Sequence, residues 1–415
     1  MPHPLARDLD HVLSHTKGVW EPLRGKSVFI TGGTGFVGTW LTESLLWAND
    51  SLRLDVNLTI LTRNPDAFRS RSPHLAGHPS VSLLAGDVSK FTFPRGTFPF
   101  IVHAATARQF EPTQVSPAGA FDTDINGTRH VLDFAATHGT ERLLFTSSGA
   151  VYGKQPPSIT HVPEDYPGAP LTSEPNSVYG QAKRASEWLC GMYARQYGFT
   201  AVIARLFAFV GPHLPLDANF AVGNFIRDVL AGGPVRISGD GTPYRSYLYA
   251  ADLAVWLWTL LVRGESAHPY NVGSGEALSI AELAEQVVAS TKPDTPVEIA
   301  RAANPGVPAA RYVPSVERAK TELGLPPLIS VKEGIRRTYE WHLSQANSGI
   351  AAAASGGTSP RVASLQPRSS NKSDKTAVRM RVADYIAKTV ADRGIKQVFL
   401  VTGGGAMHLN DAFGR

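Results

Sequence analysis

The stretch Ser27-Val-Phe-Ile-Thr31, followed directly by Gly32-Gly-Thr-Gly-Phe-Val-Gly38, decides the fold of this chain. Its first five residues are mostly apolar or β-branched, which is typical of a buried strand, and an amphipathic helical pattern follows Gly38. A strand that turns through glycines into a helix is the first unit of a nucleotide-binding α/β domain.

The three glycines of this turn meet different structural needs. Gly32 lets the chain turn sharply, Gly35 lets the backbone approach a pyrophosphate group, and Gly38 permits close packing of helix against strand. At the start of the helix, the backbone N–H groups of Phe36 and Val37 are available to phosphate oxygens. The stretch therefore predicts a dinucleotide-binding site.

Beyond this unit, short apolar runs alternate with helical patterns. We expect strands at residues 27–31, 58–62, 81–85, 100–103, 142–147 and 200–205. The alternation predicts an α/β fold with a doubly wound parallel Rossmann sheet over roughly residues 25–210. From residue 211 to 342 the sequence is rich in Pro and Gly, which indicates a smaller C-terminal substrate-binding lobe.

Composition excludes several classes of protein. With 43% hydrophobic and 18% charged residues, the chain is neither disordered nor fibrous. Its longest apolar run, residues 253–262, is too short to insert into a membrane. The net charge of +5 comes from the C-terminal part, and a near-neutral body argues against nucleic-acid binding. The one cysteine, Cys190, fits a reducing, cytoplasmic location.

Two polar residues after the second and third predicted strands bear on the choice of cofactor. An acidic residue after the second strand would hold the ribose hydroxyl of NAD, but this position is Arg63, which suits the 2′-phosphate of NADP. NADP(H) is therefore slightly favoured over NAD(H). The alternative is that Arg63 is a solvated residue at a strand end, without a role in cofactor binding. Asp87, after the third strand, has a carboxylate that can accept a hydrogen bond from the amino group of adenine. The alternative is that Asp87 only forms a turn.

Ser148, Tyr179 and Lys183 form the candidate catalytic set. Tyr179 and Lys183 are four residues apart and share one helix face, so the ammonium group can lower the pKa of the phenol. Such a phenol can donate or remove a proton at a carbinol carbon. Ser148, at the end of a predicted strand, would hydrogen-bond the same substrate oxygen.

These residues, with further motifs, resemble the extended short-chain dehydrogenase/reductase family of nucleotide-sugar epimerases, dehydratases and reductases. The resemblance covers residues 1–342, and its motifs are Thr31-Gly-Gly-Thr-Gly-Phe-Val-Gly38, Val102-His-Ala-Ala105, Phe145-Thr-Ser-Ser-Gly-Ala-Val-Tyr-Gly153, Tyr179 with Lys183, Arg205-Leu-Phe-Ala-Phe-Val-Gly-Pro212 and Gly239-Asp-Gly-Thr-Pro-Tyr-Arg245. It implies a homodimer that binds NAD(P) and a nucleoside-diphosphate sugar. The implied cofactor contacts include Val88, Ala104 and Ala105, and the implied substrate contacts are Asn219 and Arg245.

The chain departs from the family pattern at the residues that follow Ser148. Dehydratases of the family have an Asp-Glu pair there, which removes water across C5–C6, and decarboxylases have a glutamate. Gly149 and Ala150 take these places, which argues against both reactions. We expect an NAD(P)-dependent epimerase or ketoreductase acting at C4, or at a branch carbonyl, of a nucleoside-diphosphate (deoxy)sugar, in surface-polysaccharide or deoxysugar biosynthesis. A second departure is Asp124, where the family usually has Asn.

The C-terminal part has a different character. Residues 343–379 read as a flexible basic linker, with five basic residues and one acid. Residues 380–415 resemble the truncated start of thiamine-diphosphate enzymes of the acetolactate-synthase type, without their catalytic glutamate or diphosphate motif. No functional thiamine diphosphate is therefore expected in this chain. We expect the fragment to be a truncated fusion or a gene-boundary artefact. It also suggests a thiamine-diphosphate carboligase of the same pathway as a partner.

Two other interpretations stay open. The chain could be a catalytically silent NAD(P)-binding sensor or scaffold, or part of a bifunctional fusion with a thiamine-diphosphate carboligase. No metal site is expected from the sequence. His11 and His15 are four residues apart on a predicted helix, but no third ligand is near them in sequence, so they are expected to be solvated.

Overall fold

A seven-stranded parallel sheet forms the centre of the computed structural model, which describes residues 3–107, 116–218 and 220–355. Within those ranges the strands are β1 Ser27–Thr31, β2 Asn57–Thr62, β3 Val81–Ala85, β4 Phe100–His103, β5 Arg142–Ser148, β6 Thr200–Leu206, β7 Phe209–Val210, β8 Val235–Ile237, β9 Tyr244–Arg245, β10 Leu248–Tyr249, β11 Pro269–Val272, β12 Leu278–Ser279, β13 Val297–Ile299 and β14 Arg311–Tyr312. The large sheet has the order β11-β6-β5-β4-β1-β2-β3.

Helices cover the sheet and connect its strands. Those of the described residues are α1 Ala6–His15, α2 Phe36–Leu52, α3 Pro65–Arg71, α4 Pro73–Ala76, α5 Pro117–Thr137, α6 Val178–Tyr197, α7 Ala221–Leu230, α8 Ala250–Arg263, α9 Ile280–Ser290, α10 Glu317–Leu323 and α11 Val331–Ser355. None of these helices is long and apolar enough to cross a membrane.

The strand order reverses between β1 and β4, which is where an open α/β sheet binds its ligand. The chain proceeds from β1 outward through β2 and β3, then returns to the other side of β1 with β4 and continues through β5 and β6. In register, Ile30 pairs with Ile60 on one side and with Val102 on the other. All seven strands therefore end at the same edge, above a crevice at the switch point.

The sheet confirms the predicted Rossmann fold. All six predicted strands are present, and three of them are one residue longer than expected: β2, β5 and β6. The seventh strand, β11, was not predicted. It is four residues long, begins with a proline and pairs with β6 at the edge of the sheet, where the missing N–H of Pro269 is tolerated.

A buried helix joins the sheet to the C-terminal lobe. Twelve residues of α8 are buried, including Trp256 and Trp258, which explains why its sequence is apolar on every face. Asp252 in its first turn accepts the N–H groups of Leu328 and Ile329, both at 2.8 Å, and lies 2.8 Å from His11 Nε2. The expectation that His11 is solvated was therefore wrong, because the polar group that binds it comes from a distant part of the sequence.

The lobe consists of small sheets and helices placed over the carboxyl edge of the large sheet. Its strands form three sets, β7 with β10, β8 with β13, and β9 between β12 and β14. The last helix, α11, continues past residue 342, where the predicted linker begins, to Ser355. Asn219, the rest of the linker and the C-terminal fragment at residues 380–415 lie outside the described residues.

Candidate active site

The turn between β1 and α2 can be built only with glycine at two positions. Gly32 has a φ of 72°, and a Cβ there would lie 2.6 Å from backbone atoms of Ala104 and Ala105. A Cβ on Gly38 would lie 2.2 Å from the carbonyl oxygen of Gly32. Both distances are below van der Waals contact, so these glycines are required for packing of the turn.

Gly35 differs because its surroundings are open. The nearest atom to a Cβ there is the Gly32 carbonyl oxygen at 3.5 Å, an ordinary contact. Gly35 is the N-cap of α2 and no side chain caps that helix. The first N–H groups of a helix, here those of Phe36, Val37 and Gly38, have no partner within the helix. This uncapped end, which faces the crevice, fits a pyrophosphate group.

The predicted site residues line a single cavity. It has a volume of about 2670 Å³ and extends from the glycine turn, across the carboxyl ends of the strands, to the lobe. Every predicted site residue inside the described ranges contributes to its wall: Gly32, Gly35, Phe36, Val37, Gly38, Arg63, Asp87, Val88, Ala104, Ala105, Ser148, Tyr179, Lys183 and Arg245. The structure thus brings together residues that are more than two hundred positions apart.

The candidate catalytic residues come from two neighbouring elements. Ser148 is the last residue of β5, and Tyr179 and Lys183 occupy the first two turns of α6. The Lys183 ammonium group is buried, donates to the Thr146 carbonyl oxygen at 3.0 Å, and lies 5.7 Å from the centre of the Tyr179 ring. The Ser148 hydroxyl accepts the N–H of Ala150 at 3.2 Å, which fixes its orientation at the end of the strand.

Burial controls the protonation of this pair. Desolvation raises the pKa of Tyr179, with the neighbouring Tyr312 acting in the same direction, and a hydrogen bond from Ser148 opposes it only in part. Desolvation also lowers the pKa of Lys183. The sequence led us to expect a lowered pKa for Tyr179. The net direction in the structure is the opposite, because removal of the phenol from water outweighs the favourable contacts.

A buried ion pair holds the end of β5 in position. Arg205 of β6 donates to both oxygens of Glu187 in α6, at 3.0 and 2.8 Å, and the Ser147 hydroxyl donates to Glu187 at 2.5 Å. Arg205 also donates to the Tyr152 hydroxyl at 2.8 Å. The pair therefore links β5, β6 and α6 directly behind Ser148. The sequence motif included Arg205 but did not reveal Glu187, which has no local signature.

Tyr312, from β14, is a site residue that the sequence analysis missed. Its hydroxyl lies 3.4 Å from the Ser148 hydroxyl, and its ring stacks against Phe207 at 4.7 Å between centres. A Cβ on Gly149 would lie 2.6 Å from the Phe207 ring and 2.8 Å from the Tyr312 hydroxyl. These two aromatic side chains therefore fill the space that an acidic side chain at position 149 would need.

Asp124 is tied to the backbone beside the cofactor loop. One of its oxygens accepts the Thr106 hydroxyl and the Ala107 N–H, both at 2.8 Å. An asparagine carbonyl oxygen would accept the same two donors. The replacement of the family's usual Asn is therefore compatible with the local structure, although it places a carboxyl group near Tyr179 and Lys183.

The remaining predicted contacts lie at the two ends of the cavity. Arg63 is exposed directly after β2. One oxygen of Asp87 accepts the N–H and hydroxyl of Ser89, at 3.0 and 2.6 Å, and mainly the hydroxyl bond lowers its pKa. Asp87 thus forms a turn through one of its oxygens. At the opposite end, the Arg245 guanidinium group lies 5.8 Å from the Tyr312 ring.

A Rossmann sheet with an open glycine turn, next to a serine, a tyrosine and a lysine, defines a class of NAD-binding enzyme. The chain belongs to the NAD dependent epimerase/dehydratase family, which it matches over residues 28–273. This is a family of NAD-dependent enzymes that modify nucleotide sugars.

Two relatives illustrate the similarity in sequence. UDP-glucuronic acid decarboxylase 6 of Arabidopsis thaliana is 31% identical over 322 residues, which covers 76% of this chain and 90% of that protein. UDP-glucuronic acid decarboxylase 1 of Danio rerio is 29% identical over 317 residues, which covers 76% of this chain and 72% of the relative.

Solved structures show the same fold. UDP-glucose 4-epimerase from Thermotoga maritima, solved with UDP-glucose, matches with a TM-score of 0.65 and 22% identity, over 77% of this chain and 99% of the other. The dTDP-glucose 4,6-dehydratase from Streptomyces venezuelae, solved with NAD and TYD, matches with a TM-score of 0.65 and 23% identity, over 78% and 98%.

Proposed function

We propose that this chain is an NAD(P)-dependent oxidoreductase or epimerase that acts at C4, or at a branch carbonyl, of a nucleoside-diphosphate (deoxy)sugar. The observation that carries the proposal is that Ser148 and Tyr179 line one cavity while Phe207 and Tyr312 fill the space beside Gly149. Tyr179 is the tyrosine that we assign to proton transfer, Tyr312 is the other tyrosine beside Ser148, and no acidic side chain follows the serine. Such a site suits oxidation and reduction at a single carbon.

The size of the cavity supports two ligands. Its volume of about 2670 Å³ is more than twice the upper end of the range for one small-molecule site, roughly 300–1,000 Å³. A dinucleotide would occupy the end with Gly35, Arg63 and Asp87. A nucleoside-diphosphate sugar would occupy the end toward the lobe, where Arg245 offers a cation for its diphosphate.

Each residue of the set has a defined chemical task. Bound NAD(P) would supply the acceptor or donor of a hydride. Tyr179 exchanges a proton with the sugar oxygen, and its raised pKa keeps the phenol protonated at neutral pH, ready to donate to a carbonyl oxygen. Ser148 hydrogen-bonds the same oxygen. Lys183 holds a positive charge behind the phenol and orients the nicotinamide ribose.

Decarboxylation is the main competing reaction, because the relatives named above are decarboxylases. Our proposal departs from their activity because of Gly149 and Ala150. Phe207 and Tyr312 occupy the space beside Gly149, and Ala150 has no group that titrates. The same argument disfavours 4,6-dehydration, which needs a second acid and base at C5 and C6.

The proposed reaction can be tested with a panel of substrates. The purified chain is incubated with NADPH or NADH and nucleotide 4-keto-6-deoxysugars, and with NAD(P)⁺ and UDP-glucuronic acid, while nicotinamide absorbance and product NMR spectra are followed. Stoichiometric loss of reduced cofactor supports a ketoreductase, and interconversion of C4 epimers without net oxidation supports an epimerase. Release of CO₂ from UDP-glucuronic acid would contradict the proposal. Cofactor binding without any turnover would favour a sensor.

A further inference from the structure

Three histidines surround one buried carboxylate at the edge of the cavity. The carboxylate is Glu43 on α2, and the histidines are His3 before α1, His74 on α4 and His213 after β7. Glu43 is only 3% exposed. We propose that Glu43, His74, His213 and His3 form a binding site for a divalent transition-metal ion, with Zn²⁺ as the best match to these ligands.

The distances support this site. His3 Nε2 lies 3.2 Å from Glu43 Oε2, and the Nε2 atoms of His74 and His213 lie 2.9 and 3.7 Å from Glu43 Oε1. Ligand atoms of His3, Glu43 and His74 all fall within 4.8 Å of one another. Zinc bonds to nitrogen or oxygen of about 2.0–2.1 Å in a tetrahedron place neighbouring ligand atoms about 3.3–3.4 Å apart. The observed contacts to Glu43 lie on both sides of that value. His213 lies outside the group within 4.8 Å, so its ring must shift toward His3 and His74 to complete the tetrahedron.

His213 shows that hydrogen bonding alone does not explain the cluster. Its Nε2 atom is buried and, among the residues that the structure describes, has no hydrogen-bond partner, although it lies 3.7 Å from Glu43 Oε1. Buried polar side-chain atoms without a partner are rare in native proteins. The backbone of His213 has a φ of 68°, in the left-handed region that favours glycine. The chain thus holds an unsatisfied imidazole nitrogen beside a buried carboxylate.

The ligand types indicate which ion binds and what it does. Three imidazole nitrogens and one carboxylate oxygen suit Zn²⁺ better than Mg²⁺ or Ca²⁺, which prefer oxygen. Because the protein supplies all four ligands, the site is closed and structural. The metal would fasten the N-terminal segment, α2, α4 and the β7–α7 turn to one point.

Two of the four ligands, His3 and His74, must change their hydrogen bonding, because the Nε2 atoms of both face the Glu43 carboxylate. His3 Nδ1 accepts the N–H of Leu5 at 3.2 Å, which puts the ring proton on Nε2. Coordination through Nε2 would move that proton to Nδ1 and break this hydrogen bond. His3 would lose the bond from Leu5 as well as its contact with Glu43, and His74 would lose only its contact with Glu43. His213 has no hydrogen bond on Nε2 to lose among the described residues, so His3 should contribute less to metal affinity than His74 or His213.

The full chain, treated with a chelator and dialysed, is titrated with ZnCl₂ by calorimetry and with CoCl₂ by visible absorption. We expect stoichiometric zinc binding and the intense visible bands of tetrahedral Co²⁺. The variants His213→Ala and His74→Ala should weaken binding about 100-fold or more and lose the bands, whereas His3→Ala should weaken it less. His78→Ala is the matched control, because His78 pairs with Asp50 outside the cluster and should leave binding unchanged.

Three results would overturn the site. One is the absence of stoichiometric zinc binding by the natural chain. This measurement does not depend on whether any variant folds. Another is equal zinc affinity in the natural chain, His74→Ala and His213→Ala. If Glu43→Gln lowers the melting temperature by the same amount with and without zinc, the cluster is an ion-pair network only, and the metal site is excluded. Cofactor turnover is not part of this test, so its outcome is independent of the proposed reaction.

Discussion

At the scale of single residues, Tyr179 and Arg63 line the same cavity from different elements, Tyr179 on α6 and Arg63 directly after β2. Desolvation raises the pKa of Tyr179 and keeps its phenol protonated. Arg63 is exposed after β2, where the family fold places the adenosine ribose. In the proposed reaction Tyr179 transfers the proton and Arg63 selects the cofactor, so a change of Arg63 should alter cofactor use without altering the chemistry.

The variant Arg63→Asp tests this division of roles. A carboxylate would accept from the ribose 2′-hydroxyl of NADH and repel the 2′-phosphate of NADPH. We expect kcat/KM for NADPH to fall by about 10- to 100-fold while that for NADH stays constant or rises, a change of about 1.4–2.7 kcal/mol. Steady-state kinetics with both cofactors measure it, with Arg69→Asp, an exposed arginine on α3, as the control. An equal loss for both cofactors would speak against a 2′-phosphate contact.

At the scale of elements, the turn between β1 and α2 combines a packing requirement with a binding requirement. Gly38 is closed in by the Gly32 carbonyl group, whereas Gly35 faces open space in the crevice. Alanine at either position adds one methyl group to the same turn. At Gly38 the methyl group meets backbone atoms, whereas at Gly35 it enters open space, so the consequences for folding and binding differ.

Gly38→Ala should destabilise the chain, because a Cβ 2.2 Å from the Gly32 carbonyl oxygen forces α2 away from β1. The expected loss is about 1–3 kcal/mol in the free energy of unfolding, together with weaker cofactor binding. Gly35→Ala should leave stability nearly unchanged and weaken only cofactor binding. Urea unfolding and fluorescence titration with NADPH separate the two effects. Equal behaviour of the two variants in both measurements would refute the assignment.

At the scale of the whole molecule, the stability of the fold depends on a histidine that is buried without charge. His103, at the end of β4, lies between the hydroxyl groups of Thr31 and Thr128, at 2.7 and 3.1 Å. Burial, and to a smaller extent the charge of Lys183, lowers its pKa to about 3. As the pH falls, His103 becomes protonated in the unfolded chain, where its pKa is near the ordinary value of 6.5, before it becomes protonated in the folded chain.

Stability should therefore decline as the pH is lowered from about 6.5 toward 3, since the unfolded state gains protons that the folded state rejects. Between pH 7 and 5 the contribution of His103 to this decline is about 2 kcal/mol. His103→Gln should be less stable at pH 7 but lose less stability on acidification. Urea unfolding at both pH values measures this, with exposed His15→Gln as the control. A decline of the same size in His103→Gln would contradict the assignment.

The features that could be predicted from the sequence are those defined by residues within one short segment. The predicted strands, the glycine turn, and Ser148 with Tyr179 and Lys183 are encoded by spacing within short segments, and the structure places these residues around one cavity. The seventh strand, β11, was missed because two of its four residues, Pro269 and Asn271, are of types that are depleted in strands. Tyr312 reaches Ser148 only because β14 pairs with β9 in the lobe. The pKa of Tyr179 depends on burial, which residue spacing does not report.

The proposed reaction couples proton transfer by Tyr179 to hydride transfer at the C4 carbon or at the branch carbon. The most direct measurement follows deuterium from reduced nicotinamide, labelled on the transferring face, into the sugar product by NMR, for the natural chain and for Tyr179→Phe. We expect deuterium at C4, or at the branch carbon, with the natural chain, and none with Tyr179→Phe, which should still bind the cofactor. Deuterium at another ring carbon, or undiminished transfer by Tyr179→Phe, would contradict the claim.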